Sequence, residues 1–203
     1  MKNLILFSIL VLFISNCSDE PSKPSPDVEY NLENVRVLVP REYQEVTSKK
    51  AVKEIFFEGK DSIDIQSQLL LNRVFVLQKE DNHVFVKYKN EQLSFITFKT
   101  DGDYQIMNKD TKNYILQQYE ASLEKNILAI DPSYRFKKLE SQLTGANRVR
   151  FLKYKYTHTE KDTKWYSTKY LITSGNRTIS MSIFSPTSDY SDMENYMQFI
   201  QLK

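Results

Sequence analysis

Val149-Arg150-Phe151-Leu152-Lys153-Tyr154-Lys155-Tyr156, then Trp165-Tyr166-Ser167-Thr168-Lys169-Tyr170-Leu171-Ile172-Thr173, then Thr178-Ile179-Ser180-Met181-Ser182-Ile183-Phe184: these three runs decide the fold. In an extended chain every second side chain shares a face, so their alternation predicts three strands. β-Branched and aromatic residues fill them, as suits a pleated, half-buried surface. Ser174-Gly175-Asn176 supplies a turn between the second and third runs. Strands joined by such short polar breaks pair antiparallel.

Towards the N-terminus, Arg135 to Leu143 reads as a further strand. Asn108 to Lys125 predicts the longest helix. Asn108 or Asp110 can cap it, Ile115, Tyr119, Ser122 and Leu123 keep helical spacing with Tyr114 at the flank, and Asn126 and Asp131-Pro132 close it. His83 to Lys89 and Leu93 to Lys99 alternate as strands, after a turn at Glu80-Asp81-Asn82 and before a break at Asp101-Gly102-Asp103. Arg73 to Lys79 also alternates, with Val74 and Val76 on one side and Phe75 and Leu77 on the other, and predicts a strand. Ile65 to Leu71 suits either element, and Glu58 to Asp64 is polar and turn-like.

Ser48 to Phe57 predicts a helix capped by Thr47 or Ser48, with Ala51, Val52, Ile55 and Phe56 on one face; Phe56 and Phe57 also suit a strand. Val35 to Val39 reads as a strand stopped by Pro40, which has no amide hydrogen to donate. At the far end Ser191-Asp192-Met193-Glu194 fits a capping box. It opens a helix from about Asp192 to Gln201, with Met193, Tyr196, Met197 and Ile200 in one stripe. Nothing repeats, so residues 28–203 read as one α+β domain: an antiparallel sheet with a central helix and a C-terminal helix packed on it.

This order of elements resembles the PsbP-like fold. The features that carry the resemblance are the strand running into proline (Val37-Leu38-Val39-Pro40), the helix Asn108 to Lys125, the strands Arg148 to Thr157, Trp165 to Ile172 and Thr178 to Ile183, and the final helix. The resemblance implies an α/β/α sandwich, and an interaction or assembly module with no shared catalytic residues. It leaves Glu58 to Leu71 unexplained.

The first seventeen residues speak of location. Lys2 is followed by an apolar run, Leu4 to Ile14, interrupted only by Ser8, and then by Ile14-Ser15-Asn16-Cys17 with the one cysteine of the chain. About eleven apolar residues make about 16 Å of helix, half of a ~30 Å hydrocarbon core, so residues 1–16 read as a cleaved secretory signal and not a span. The end resembles the lipobox of bacterial lipoproteins, with Ile14 where Leu is usual and Asn16 where Gly or Ala is commoner. That implies acylation of Cys17. Residues 17–27, rich in Pro, Ser and charge, read as a tether. Within it Ser18-Asp19-Glu20 resembles the surface-export signal of some Bacteroidetes lipoproteins, and equally suits a solvated linker. Asp61-Ser62-Ile63 fits the short pattern that Bacteroidetes use for O-glycosylation, with Ser62 as acceptor. The expectation is a lipid-anchored protein of the outer membrane, facing the periplasm or the cell surface, with envelope proteins as partners.

Chemistry is sparse. The chain has 28 basic and 26 acidic residues in 203, a balance with no electrostatic footprint for nucleic acid. With Cys17 acylated no thiol remains for a disulfide or a nucleophile. Thirteen Tyr and twelve Phe supply the core, or line a groove for a peptide or lipid. His83 begins a strand and His158 ends one; neither has a second ligand at metal spacing, so both read as surface or edge residues, and no metal or cofactor is expected. Asp101-Gly102-Asp103 lacks the rest of a calcium loop, since Lys112 stands where a bidentate Glu is needed. Lys153-Tyr154-Lys155-Tyr156 interleaves basic and aromatic residues as single-strand binders do, but a strand places the lysines on one face and the tyrosines on the other. Asp192 and Glu194 fall in a first helical turn, where negative charge is expected. The reading is a non-enzymatic binding or assembly module; the alternative is a hydrolase built on carboxylates alone.

Overall fold

The computed structural model describes residues 27–32, 35–59, 63–78, 83–103, 105–128, 131–146, 149–174, 177–188 and 201–202. In chain order they form β1 (Asp27–Leu32), β2 (Val35–Pro40), β3 (Gln44–Val46), α1 (Lys49–Phe57), α2 (Ile65–Gln78), β4 (His83–Lys89), β5 (Gln92–Asp103), α3 (Lys109–Leu123), a π-helical turn (Glu124–Leu128), β6 (Arg135–Ala146), β7 (Val149–Glu160), β8 (Thr163–Ser174), β9 (Arg177–Ser185) and β10 (Gln201–Leu202). The fold is α+β. One sheet runs β3-β4-β5-β9-β8-β7-β6, a second runs β1-β2-β10, and neighbours in both are antiparallel.

Alternation sorts the large sheet into two faces. Leu152, Tyr154, Tyr156 and His158 of β7 stand opposite Leu171, Lys169, Ser167 and Trp165 of β8, and this face carries the described helices. Val52 and Phe57 of α1 and Leu70 and Leu71 of α2 pack there with Phe95, Trp165 and Phe184. Leu116 of α3 packs on Leu152, Tyr154 and Tyr156. On the opposite face Val35, Val37 and Val39 of β2 close over Phe85, Ile96, Phe98 and Ile183. The described layers are therefore small sheet, large sheet and helices; residues 189–200, where a C-terminal helix was expected, lie outside the described residues.

Local signals place the helix starts. Ser48 accepts from the Ala51 amide at 3.1 Å and Asn108 from the Thr111 amide at 2.9 Å, so each caps its helix. The buried stripes differ in detail from those expected. Ile55 is exposed while Val52 and Phe57 are buried, and α3 buries Leu116 and Leu123 and turns Ser122 outward.

Three expectations are corrected. Arg73 to Gln78 belongs to α2, not a strand. Its Val-Phe-Val alternation follows Leu69, Leu70 and Leu71, all buried, and Asp64 caps the helix by accepting from the Ser67 amide at 2.9 Å. Asp101-Gly102-Asp103 does not break the strand: β5 runs through it, with a register shift against β9 between Lys99 and Gly102 that absorbs the irregularity. Gln201 is not the end of a helix but part of β10, paired with Arg36 of β2.

Two hairpins close over two residues each with φ positive at both: Asn90 and Glu91 (51° and 62°) between β4 and β5, Lys161 and Asp162 (50° and 61°) between β7 and β8. This is the primed-turn geometry that matches strand twist, built here without glycine.

Candidate functional site

One group of converging polar side chains lies on β7 and β8 and at the start of β6, with Glu120 of α3 beside it. His158 is the centre, and it corrects an expectation: it is 1 % exposed, not at a surface or an edge. It has the same parity along β7 as Leu152, Tyr154 and Tyr156, so the strand aims it into the core. Its Nδ1 lies 2.5 Å from the Tyr134 hydroxyl and its Nε2 lies 2.7 Å from Ser167 Oγ. The ring stacks on Trp165, its cross-strand partner, at 3.8 Å between centroids. Ser167 and Tyr134 are also buried.

A serine hydroxyl on an imidazole nitrogen is the beginning of a nucleophile–base pair. In a Ser-His-Asp arrangement a carboxylate behind the imidazole stabilises the imidazolium; behind His158 Nδ1 stands the Tyr134 hydroxyl. Serine and histidine alike are sealed in the core. The arrangement satisfies both ring nitrogens and two buried hydroxyls, which burial requires of any polar group.

A second cluster joins this node to the surface. Glu120 of α3 accepts from the Tyr156 hydroxyl at 2.7 Å and from Lys138 Nζ at 3.1 Å. Tyr119, beside it on the helix, touches the rings of Tyr154 and Tyr156 at 5.1 and 5.3 Å, and Lys169 Nζ lies 4.7 Å from the Tyr119 centroid. Burial alone pulls the Glu120 carboxyl up, but the bonds from Tyr156 and Lys138 outweigh it and leave the group below the usual carboxylate range. Burial, then the Glu120 bond, drives the Tyr156 hydroxyl well above its ordinary value, and burial does the same to Tyr154. These phenols stay protonated at any physiological pH.

Other ion pairs lie apart from these two clusters. His83 pairs with Glu45 at 3.2 Å, and Glu42 binds Lys87 and Lys89 at 3.0 Å each. Lys153, nearly buried, is matched by Glu140 at 3.2 Å. Lys153 and Lys155 face away from Tyr154 and Tyr156, as the alternation requires. Among the described residues no three His, Asp or Glu side chains converge as a metal site would need. Cys17, Ser18, Asp19, Glu20 and Ser62 lie outside the described residues, as do Asp192 and Glu194. The sequence reading missed the His158 node, although the parity of His158 with Tyr154 and Tyr156 was the signal that reveals it.

No family model matches this chain, and no curated protein matches it. Among solved structures it is similar to the solution structure of cyanobacterial PsbP (CyanoP) from Synechocystis sp. PCC 6803, with a TM-score of 0.48 and 9 % identity over 94 % of this chain and 99 % of that one.

Proposed function

We propose that this chain is a lipid-anchored protein of the outer membrane whose PsbP-like domain binds or assembles with other envelope proteins and performs no catalysis. One observation carries the non-enzymatic reading: the Ser167–His158 pair is closed in the core with a tyrosine where a catalytic carboxylate would stand. The PsbP-like reading is supported by a strand ending at Pro40, α3 between β5 and β6, and four antiparallel strands from β6 to β9. The anchor reading rests on Met1 to Cys17, a short apolar signal ending at the one cysteine. Export to the surface through Ser18-Asp19-Glu20, glycosylation at Ser62 and a Bacteroidetes origin belong to the same reading.

The test is fractionation of a Gram-negative host expressing the full chain, with Cys17→Ala beside it. The wild type is expected with outer membranes and the variant in the soluble fraction; a variant that stays membrane-bound removes the anchor. Protease added to intact cells separates surface from periplasmic display. Cross-linking before detergent extraction is expected to trap a defined envelope protein. Turnover of an ester, glycoside or phosphate substrate that is lost on replacing a single Asp or Glu would establish the hydrolase alternative instead.

A further inference from the structure

The balance of charge over the whole chain conceals an uneven distribution. Arg135 to Lys169 holds ten of the 28 basic residues and three of the 26 acidic ones. Strand alternation then sorts them. Arg135, Thr159 and Lys164 stand side by side across β6, β7 and β8, and Lys137, Thr157 and Tyr166 form the next row on the same face. Lys155 and Lys153 follow along β7. Neighbouring strands lie about 4.8 Å apart and alternate residues about 7 Å, so Arg135, Lys137 and Lys164 spread over roughly 10 by 7 Å of sheet.

Little around them cancels this charge. Arg135, Lys137 and Lys164 are exposed, and among the described residues none of the three has a carboxylate within ion-pair distance. Arg135 donates to the Pro132 and Tyr134 carbonyls, Lys164 Nζ stands 5.4 Å from the Tyr166 centroid, and Lys155 donates to the Ser188 carbonyl at 3.4 Å. Of the acidic residues at this end of the sheet, Glu140 is taken by Lys153. Asp131 accepts from Ser133 and feels the charge of Lys161. Asp162 sits beside Lys161 at the hairpin tip, and the parity of Glu160 places it on the other face.

Two observations choose the partner. The three cations do not converge on a point, as a pocket for one phosphate or carboxylate would need. They are spread over a sheet face among threonine hydroxyls and a tyrosine ring, which suits a plane of headgroups. The small sheet also lies on this side: Val35, Val37 and Val39 of β2 pack with Tyr170 and Ile172, which share the parity of Lys164 and Tyr166 on β8. β1 of that sheet begins at Asp27, where the tether from Cys17 ends. Residues 17–27, at about 3 Å each, reach about 30 Å, so the tether joins the domain on the side that carries the cations.

We propose that Arg135, Lys137 and Lys164, with Lys155 beside them, dock the domain on an anionic lipid surface. The choice of lipid rests on the proposed anchor; the charge pattern does not. Each Lys or Arg close to such a surface gains about fivefold in partitioning, and salt screens the attraction. The acyl group then holds the protein at the membrane while this face fixes how the domain lies, with the helix-bearing face turned away and open to partner proteins.

The test takes the full chain with Cys17→Ala, which carries no acyl group, and sediments it with vesicles of phosphatidylcholine alone or with phosphatidylglycerol as a third of the lipid. Binding is expected to favour the anionic vesicles and to weaken as salt rises. Lys137→Gln combined with Lys164→Gln should lower that preference about thirtyfold. Lys50→Gln combined with Lys53→Gln makes the same change of net charge on α1, across the sheet, and should leave the preference unchanged. Equal binding to both vesicles, an unmoved preference in the Lys137 and Lys164 pair, or an equal loss in the Lys50 and Lys53 pair each overturns the proposal. Binding of polyglutamate that needs Lys137 and Lys164, without binding to vesicles, assigns the face to an acidic protein and overturns it as well. A salt wash strips whatever this face holds, so membranes washed in this way report on the anchor and the vesicle preference reports on the face.

Discussion

At the tip of the β4–β5 hairpin Glu91 holds φ at 62° beside Asn90 at 51°. Both residues are exposed, so the cost there is one of backbone conformation and not of packing. A non-glycine residue in the left-handed region costs about 1–2 kcal/mol, and glycine gives back about 0.5–1 kcal/mol through the freedom it adds to the unfolded chain. Glu91→Gly, which creates the Asn-Gly pair favoured in such turns, should therefore stabilise the protein by about 0.5–1 kcal/mol. That corresponds to about 1–4 °C in Tm. Urea unfolding followed by circular dichroism reads it as a rise in midpoint with an unchanged slope. Glu91→Ala is the control, because it removes the carboxylate and keeps the Cβ; it should leave the midpoint where it is. The β7–β8 tip offers an independent repeat at Asp162, φ 61°. One strand, β9, separates the two hairpins, which places their centres about 14 Å apart and makes the two gains additive. Equal gains from glycine and alanine, or no gain from glycine, would refute the backbone account.

Tyr156→Phe removes the hydroxyl that Glu120 accepts at 2.7 Å; it should cost about 1–2 kcal/mol by urea unfolding and raise the Glu120 carboxyl towards its ordinary value in a side-chain NMR titration. Glu42 is held below the usual carboxylate range by the bonds from Lys89 and Lys87, so its contribution is present above the unfolded carboxylate pKa and is lost as pH falls through the folded one. Glu42→Gln should flatten the acid limb of the stability curve below about pH 4.5, by less than about 1 kcal/mol because the site is exposed. Trp165→Ala empties a buried position between His158 and Phe184 and should cost about 3–5 kcal/mol, with the larger loss at the Tyr134 end of the sheet by hydrogen exchange.

Legibility followed the range of each signal. The strands β4 and β7–β9 were readable because alternation is carried by neighbouring residues, and Ser48 and Asn108 announced their helices through a contact only three residues long. Arg73 to Gln78 reads as a strand in the sequence because alternation over so short an apolar run does not separate strand from helix; the Asp64 cap and the three preceding leucines outweigh it. Asp101-Gly102-Asp103 carries turn residues, yet pairing with β9 holds them in a strand through an irregular register. Of the candidate site, the sequence showed the period that aims His158 inward but not the partners that make burial tolerable.

By itself, then, the sequence determined the α+β class, the antiparallel meander of the C-terminal half, the two capped helices and the segregation of Lys153 and Lys155 from Tyr154 and Tyr156, since each depends on backbone preference over a few residues. Only the tertiary structure decided that β2 covers one face of the large sheet, that Gln201 pairs with Arg36, and that Tyr134 and Ser167 meet on His158. Those contacts join residues from 9 to more than a hundred positions apart, and a side chain's neighbours across a sheet or between layers are fixed by the order in which strands pair. That order is a property of the packed whole, where burying apolar area and satisfying polar groups must succeed together.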